Sequence, residues 1–225
     1  MSTWLAFDAG SPVTSAAVAR DGALLAESSG ESRSGPPLLY HLDETLRRSG
    51  LEPAELDGIL ALRGPGSFTG IRVTLATALG LRDALGVRVA ALSNLAALAL
   101  HAFPDGARMA GTAGADGKSG ILALVDALRD EWFVQEFRPG GRGLVAAGDP
   151  TRVAGAAIAA TAEIVLAAHA SQGLPAHLAR MAVRRASALS AAVATASSAA
   201  QLDDLISDSL QPLYLRAFAL RSPPQ

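Results

Sequence analysis

Ten residues constrain this chain more than any others: Arg63-Gly64-Pro65-Gly66-Ser67-Phe68-Thr69-Gly70-Ile71-Arg72. The apolar run Gly58-Ile59-Leu60-Ala61-Leu62 precedes them and a long apolar helical pattern follows. The stretch therefore reads as a strand, a rigid glycine-rich turn and a helix start. Gly64, Gly66 and Gly70 permit positive φ or close backbone approach. Pro65 fixes its own φ and pushes Gly64 towards extended geometry. Ser67 or Thr69 is placed to cap the helix by accepting a bond from an early N–H. A helix start of this kind can hold an anion. A plain strand-to-helix turn needs the same residues, and chemistry alone leaves both readings open.

The rest of the chain arranges itself around that turn. Trp4 to Phe7 is a short apolar strand ending at Asp8-Ala9-Gly10-Ser11. Val13 to Ala19 and Ala23 to Glu27 are strands joined by the hairpin signal Asp21-Gly22. Serine, glycine and proline then break the pattern over Ser29 to Pro37. Leu38, Leu39, Leu42 and Leu46 recur at helical spacing up to Arg48, with Gly50 just past the end. Leu51 to Asp57 is a loop. Ile59 to Leu62 is a strand, Ile71 to Leu85 a helix, Val87 to Leu92 a strand, and Asn94 to His101 starts a third helix. Three strands followed by alternating helices and strands is the order of the ribonuclease-H-like unit, the building block of the actin, sugar-kinase and heat-shock ATPase superfamily. Those proteins carry an Asp-x-Gly-Ser/Thr phosphate loop after the first strand, a pattern that Asp8, Gly10 and Ser11 match; ordinary turn chemistry gives the same residues.

Pro104 to Gly120 is a Gly- and Ala-rich composition break, which sets expected domains at 1–103 and 104–225. Beyond it, Ile121 to Val125 again ends in an aspartate, Asp126, and Trp132 to Phe137 reads as its partner strand. This echo predicts a second, reduced copy of the same unit. Asp149-Pro150 predicts a short helix to Ala160, Ile164 to Ala168 a strand, Pro175 to Ala199 an Ala-rich helix, and Leu202 to Leu210 more helix. Gln211 to Arg216 is extended because Pro212 disfavours helix, and the C-terminal segment is expected to pack back on the first domain. The fold class is α/β with two ribonuclease-H-like domains.

Several chemistries are excluded or weakly supported. The chain has no cysteine, which removes disulfides, thiolate metal sites and a cysteine nucleophile. Net charge is −2, no basis for strong unaided nucleic-acid binding. Gly114 to Ser119 resembles a P-loop but has Thr112 where the motif needs glycine, and a strand-like run follows where a helix should. The four histidines, His41, His101, His169 and His177, lie in no HExxH or HxxxH motif; His169 and His177 flank a loop and could pair, but two ligands do not make a metal site, and His41 is expected at the surface. No Gly-x-Ser-x-Gly elbow is present. The N-terminus MSTWLAFDAG lacks a basic leader and every apolar run is interrupted before membrane-spanning length, so a soluble cytoplasmic protein is expected, with no metal and no cofactor.

The helix after the turn has two apolar stripes. Ile71, Leu75 and Leu79 suit packing on a sheet. Val73, Ala76, Thr77, Gly80 and Ala84 form a second stripe of small residues. A helix apolar nearly all round is buried on more than one side. Either the helix from Leu38 to Arg48 covers the second stripe, or the two helices together present it to a partner protein.

The turn Arg63 to Arg72, between a strand and an Ala/Leu helix, resembles the signature of the TsaB (YeaZ) family of bacterial tRNA threonylcarbamoyladenosine biosynthesis. Asp21-Gly22, Val89 to Leu95, Asp126-Ala127 and Pro212-Leu213-Tyr214-Leu215-Arg216 support the likeness, which is strong over residues 1–100 and thinner beyond. The resemblance implies a non-catalytic subunit that pairs with TsaD, the relative that transfers the threonylcarbamoyl group to adenosine; a TsaE-like P-loop ATPase joins them, and tRNA is met only through the complex. It implies pairing through the first two helices, here with Leu38, Leu42, Thr45, Val73, Ala76, Thr77, Gly80 and Ala84 at the partner; an exposed apolar helix pair also suggests a homodimer when the partner is absent. It leaves Asp8, Gly10 and Ser11 as a vestigial phosphate site. TsaD-type proteins carry a metal-binding histidine pair on the first helix, which Ser34 to Tyr40 lacks. Arg33 to Pro37 departs from the family's Glu-His-Ser type sequence, Leu128 stands where the family tends to have arginine, and Asp8-Ala9-Gly10 replaces the more usual Asp-Thr-Ser. The alternative is a small ATP-dependent phosphotransferase of the sugar-kinase superfamily, using Asp8 and the Gly64 to Gly70 turn.

Overall fold

The structure, a computed structural model, describes residues 1–31, 37–100, 120–140, 143–158, 164–168, 182–185 and 207–214. Its first part is a five-stranded sheet built from β1 (Thr3–Asp8), β2 (Val13–Arg20), β3 (Ala23–Glu31), β4 (Gly58–Leu62) and β5 (Arg88–Leu92). The order across the sheet is β3-β2-β1-β4-β5; the first three strands are antiparallel, while β4 runs parallel to β1 and β5 parallel to β4. The hairpin turn has positive φ at both Asp21 and Gly22, as a type I′ turn requires. β3 runs on to Glu31, past the break expected from Ser29, because Ser28 to Glu31 pair with Val13 to Ala16. Cross-strand pairing outweighs the weak local preference of serine and glycine there.

Both faces of the central strands β1, β2 and β4 are buried, in strict alternation. Leu5, Phe7, Ala16, Val18, Ile59 and Ala61 face two helices, α1 (Leu38–Ser49) and α2 (Phe68–Leu85). Trp4, Ala6, Ala17, Ala19, Leu60 and Leu62 face the other way, towards α3 (Asn94–Leu100) and the second sheet. All seven residues of α3 are buried, so it is a core helix shared by the two halves. At Gly58 the Trp4 indole lies where a side chain would be, which requires glycine.

The second sheet contains β6 (Ile121–Asp126), β7 (Glu131–Gly140), β8 (Gly143–Ala146), β9 (Thr151–Ala154), β10 (Ile164–Ala168) and β11 (Ala182–Arg185). Its order is β11-β10-β6-β7-β8, with β9 also paired to β7. β7 is antiparallel to β6, β8 antiparallel to β7, and β10 and β11 continue in parallel from β6. That is the topology of the first sheet over again, so the α/β fold with two ribonuclease-H-like units holds and the faint echo at Ile121 to Asp126 is a true structural repeat.

Three expectations fail in this half. Thr151 to Ala154 is a strand paired with Glu131 to Val134 rather than a helix, followed by a single 3-10 turn at Gly155–Ala157. Ala182 to Arg185, inside the expected Ala-rich helix, is β11; parallel pairing with β10 overrides alanine's helix propensity. Ser207 to Leu210 is not helical. The remainder of those expected helices, the Gly114 to Ser119 segment, His101, His169, His177 and the boundary at 103/104 lie outside the described residues.

α1 buries Leu38, His41, Leu42 and Thr45, a single stripe at helical spacing, against the sheet. Gly50 ends it in the left-handed conformation, φ 69°. On the solvent side Glu44 meets Arg47 and Arg48, whose hydrogen bonds hold its carboxyl below the usual range. His41, expected at the surface, is buried at 2% exposure. Its Nδ1 lies 2.8 Å from the Ser28 hydroxyl in a hydrogen bond, its Nε2 is buried without a partner among the described residues, and burial lowers its pKa. The unfolded chain therefore binds the His41 proton more readily than the folded one. Stability contributed by neutral His41 is present above about pH 6.5, the ordinary histidine value, and is lost as pH falls from there towards the lowered native value. We expect Tm to drop between pH 7.5 and pH 5.5, and His41→Gln to flatten that drop; equal drops in both proteins would show that another group carries it.

Candidate functional site

The signature turn and the loop after β1 are built against one another. Ser67 caps α2, its Oγ accepting from the Gly70 N–H at 3.3 Å. The Ser67 N–H donates to the Gly10 carbonyl at 2.7 Å. Thr74, in the second turn of α2, accepts from the Ala9 N–H at 2.9 Å and donates to the Gly70 carbonyl at 3.0 Å. The glycines explain themselves by proximity. A Cβ on Gly66 would overlap the Gly10 carbonyl oxygen and one on Gly70 the Ala9 carbonyl oxygen. Gly64 takes φ +103°, where an added Cβ would lie 2.7 Å from Ile71 Cδ1. Glycine's freedom thus prevails over the extended geometry expected before Pro65.

Asp8 sits at the centre, 3% exposed. Its carboxylate accepts from the Gly10 N–H at 2.7 Å, from the Ser11 hydroxyl, and from Asn94 Nδ2 at 3.0 Å. Burial pushes the carboxyl above its usual range, against the pull of those three donors. Asn94, at the start of α3, completes the arrangement: its Oδ1 accepts from the Gly64 N–H at 2.8 Å and its own N–H donates to the Gly64 carbonyl at 2.8 Å. The residues read as a phosphate loop therefore satisfy one another. Of the open readings, the strand-to-helix turn is the one this geometry favours, since the Ala9 and Gly10 carbonyls fill the space beside Gly66 and Gly70.

Arg63 is half-buried, its N–H on the Leu92 carbonyl at 3.0 Å and its carbonyl accepting from Leu213 at 2.8 Å. Ser67, Thr69 and Arg72 are exposed. The Arg72 guanidinium lies 3.7 Å from the Phe68 ring centroid and donates from Nε to the Tyr214 hydroxyl at 3.2 Å.

Both helices pack on one face of the first sheet, α1 over β2 and β3 and α2 over β4. The expected partner residues divide between inside and outside. Leu38, Leu42 and Thr45 are in the chain's own core, and Thr45 donates to the Ala16 carbonyl at 3.3 Å. They are unavailable to a partner because the buried stripe of α1 is the one the sheet needs. On α2 the sheet-facing residues are Ile71, Thr74, Leu75 and Ala78, while Leu79, expected there, is 36% exposed. Val73, Ala76, Gly80 and Ala84 are exposed and Thr77 is half-buried, so α1 does not cover the small-residue stripe. Leu39 and Tyr40 of α1, absent from the expectation, are exposed at 64% and 50%. The signal for them was their position on the helix face opposite the buried stripe.

In the second sheet Asp126 closes its own turn, with Oδ1 accepting from the Leu128 N–H at 2.7 Å. Leu128, Arg129 and Asp130 all have positive φ, and Leu128 is exposed. Among the described residues no group of three histidines or carboxylates is placed to hold a metal, and no helix is long and apolar enough to cross a membrane.

Three comparisons bear on this geometry. The family model described as TsaD, tRNA N6-adenosine threonylcarbamoyltransferase, matches residues 37–223. A Haemophilus influenzae protein named tRNA threonylcarbamoyladenosine biosynthesis protein TsaB is 44% identical over 66 residues, 29% of this chain and 28% of that one. An uncharacterised Mycobacterium leprae protein is 34% identical over 104 residues, 46% of this chain and 25% of that one. The matches thus span about a quarter of the length of these curated relatives. A solved structure, YeaZ from Pseudomonas aeruginosa, superposes with a TM-score of 0.71 at 25% identity, over 96% of this chain and 100% of that one. With the family model matching most of its length and the YeaZ fold matching nearly all of it, the chain belongs to the TsaB (YeaZ) family, within the wider TsaD family that the model defines.

Proposed function

We propose that this chain is a non-catalytic subunit that binds a TsaD-like threonylcarbamoyl transferase and supports tRNA threonylcarbamoyladenosine modification in the cytoplasm. The observation that carries the reading is the exposed stripe Val73, Ala76, Gly80 and Ala84 on α2, together with exposed Leu39 and Tyr40 on α1, which packs on the same face of the sheet. Small residues on a helix let a second helix approach closely, and neighbouring aromatic and aliphatic side chains supply the anchors such an interface uses. The same face would pair two copies of the chain when the transferase is absent. A TsaE-like ATPase would join the pair, and tRNA would be met only through the assembly. A division of labour between 1–103, carrying the partner face, and 104–225 accompanies this reading.

The rival, a small ATP-dependent phosphotransferase, needs a carboxylate free to face nucleotide phosphate or its metal. Asp8 is instead buried and bonded to Gly10, Ser11 and Asn94. Micromolar binding of ATP with magnesium in calorimetry would revive it.

The direct test is co-purification with a TsaD-like protein. A Cβ on Gly80 meets nothing within 4 Å, so the monomer accommodates a long side chain there. Gly80→Arg is expected to weaken binding about a hundredfold or more, as loss of a central interface contact does, with Thr77→Arg acting in the same direction. A folded Gly80→Arg variant that still co-purifies would remove the stripe from the interface.

A further inference from the structure

We propose that residues 207–214 form a strap that holds the first turns of α2, and with them the partner face, in their binding geometry; this deepens the partner-binding reading and rests on it. After the second sheet the chain returns to the first. Ser207 and Ala91 exchange both backbone bonds, at 2.8 and 2.9 Å, which pairs the otherwise open edge of β5. Leu210 packs against the core beneath the helices. The Leu213 N–H donates to the Arg63 carbonyl, and an added Cβ on Gly64 would lie 2.9 Å from the Leu213 carbonyl oxygen. Tyr214 then closes over the start of α2: its ring centroid is 5.1 Å from that of Phe68, and its hydroxyl accepts from Arg72.

Edge pairing alone would end at Ser207. The remaining contacts fall on the turn and on Phe68 and Arg72, which sit in the first two turns of α2, immediately before the exposed Val73. A helix start has N–H groups with no intrahelical partner and frays unless something holds it. Ser67 caps one of those groups, and the Phe68, Arg72 and Tyr214 stack holds the side chains above it. Tyr214 and Leu213 are positioning residues for the face, reaching it through Arg63, Phe68 and Arg72.

The test uses the full chain with Tyr214→Ala. In the free protein, hydrogen exchange of amides 71 to 75 is expected to rise about tenfold over wild type, the scale of losing one well-packed contact, with α1 amides unchanged. The Kd for a TsaD-like protein is expected to weaken about tenfold in calorimetry. Tyr214→Phe keeps the ring stack and loses the hydroxyl, and should fall between the two. Unchanged exchange overturns the strap. Faster exchange with an unchanged Kd overturns its link to binding. A weaker Kd with unchanged exchange means that Tyr214 touches the partner itself, which also overturns the positioning role. Tyr214→Leu carries the same test if the alanine variant does not fold. A wild-type chain that binds no TsaD-like protein overturns the parent reading and the strap's role in binding together, before any variant is made; the exchange arm still separates the two failures.

Discussion

Replacing Gly70 with alanine is expected to destabilise the protein by about 3 kcal/mol or more, the upper range for forcing atoms into a packed region. The new Cβ would meet the Ala9 carbonyl oxygen well inside contact distance and lie 2.6 Å from the Ala9 carbonyl carbon and 2.9 Å from Gly10 Cα. All three are backbone atoms, and neither side yields easily. The Ala9 N–H is held by Thr74, the Gly10 N–H by Asp8 and the Gly10 carbonyl by Ser67. Relief means moving α2 away from the β1 loop, which breaks the bonds that Thr74 and Ser67 make to that loop. Helix propensity works in the opposite direction, favouring alanine by about 1 kcal/mol, too little to change the sign. Gly80 supplies the control on the same helix. Nothing lies within 4 Å of an added Cβ there, so Gly80→Ala should stabilise the chain by about 0.5–1 kcal/mol through propensity alone. Urea denaturation of the two variants reads both numbers. Similar midpoints for the pair would mean that the close approach of the two loops does not exist in solution.

That pair also marks what was legible in the sequence. The turn, its glycines, the hairpin at Asp21-Gly22, the C-terminal glycines of α1 and α2 and the succession of strands and helices along residues 1–100 follow from local chemistry, because each rests on residues adjacent in the chain. What each glycine is close to does not, since Ala9 and Gly10 lie far from the turn in the sequence. The two stripes of α2 were visible, but periodicity on a helix apolar nearly all round does not say which stripe meets the sheet; Thr74 and Ala78 took places expected of Leu79. Thr74 goes inside because its hydroxyl has two partners there. On α1 the difference runs the other way: Leu38, Leu42 and Thr45, expected at a partner, lie in the core because the helix has one buried stripe and a sheet to cover. β9 and β11 were missed because Asp149-Pro150 and an alanine-rich run favour helix locally, while the pairing that makes them strands comes from β7 and β10.

Asn94→Ala should cost about 3 kcal/mol, the sum of effects that buried polar groups show when their partners are removed. In the sequence Asn94 is only the start of a helix after β5, yet in the fold it joins three parts of the molecule. It donates to Asp8 and, at 3.2 Å, to Ser11, and it accepts from Gly64. Alanine leaves the Gly64 N–H buried without a partner and removes one of the donors that offset the burial of the Asp8 carboxylate. Asn94→Asp separates shape from chemistry, because it keeps the acceptor for Gly64 and replaces the donor to Asp8 with a second carboxyl. Two carboxylates at that distance cannot both ionise easily, so the pair's upper pKa is raised in the folded state. The folded chain then holds a proton that the unfolded chain has released, and stability falls as pH rises from the ordinary carboxyl value through the raised one. Below that window the introduced carboxyl is protonated and donates to Asp8 as the amide did. The expected result is a variant close to wild type near pH 4 and strongly destabilised at pH 7.5, against an alanine variant destabilised at both, read by urea midpoints relative to wild type at each pH. If Asn94→Asp loses as much at pH 4 as at pH 7.5, the bond from Asn94 to Asp8 is not what holds the two loops together.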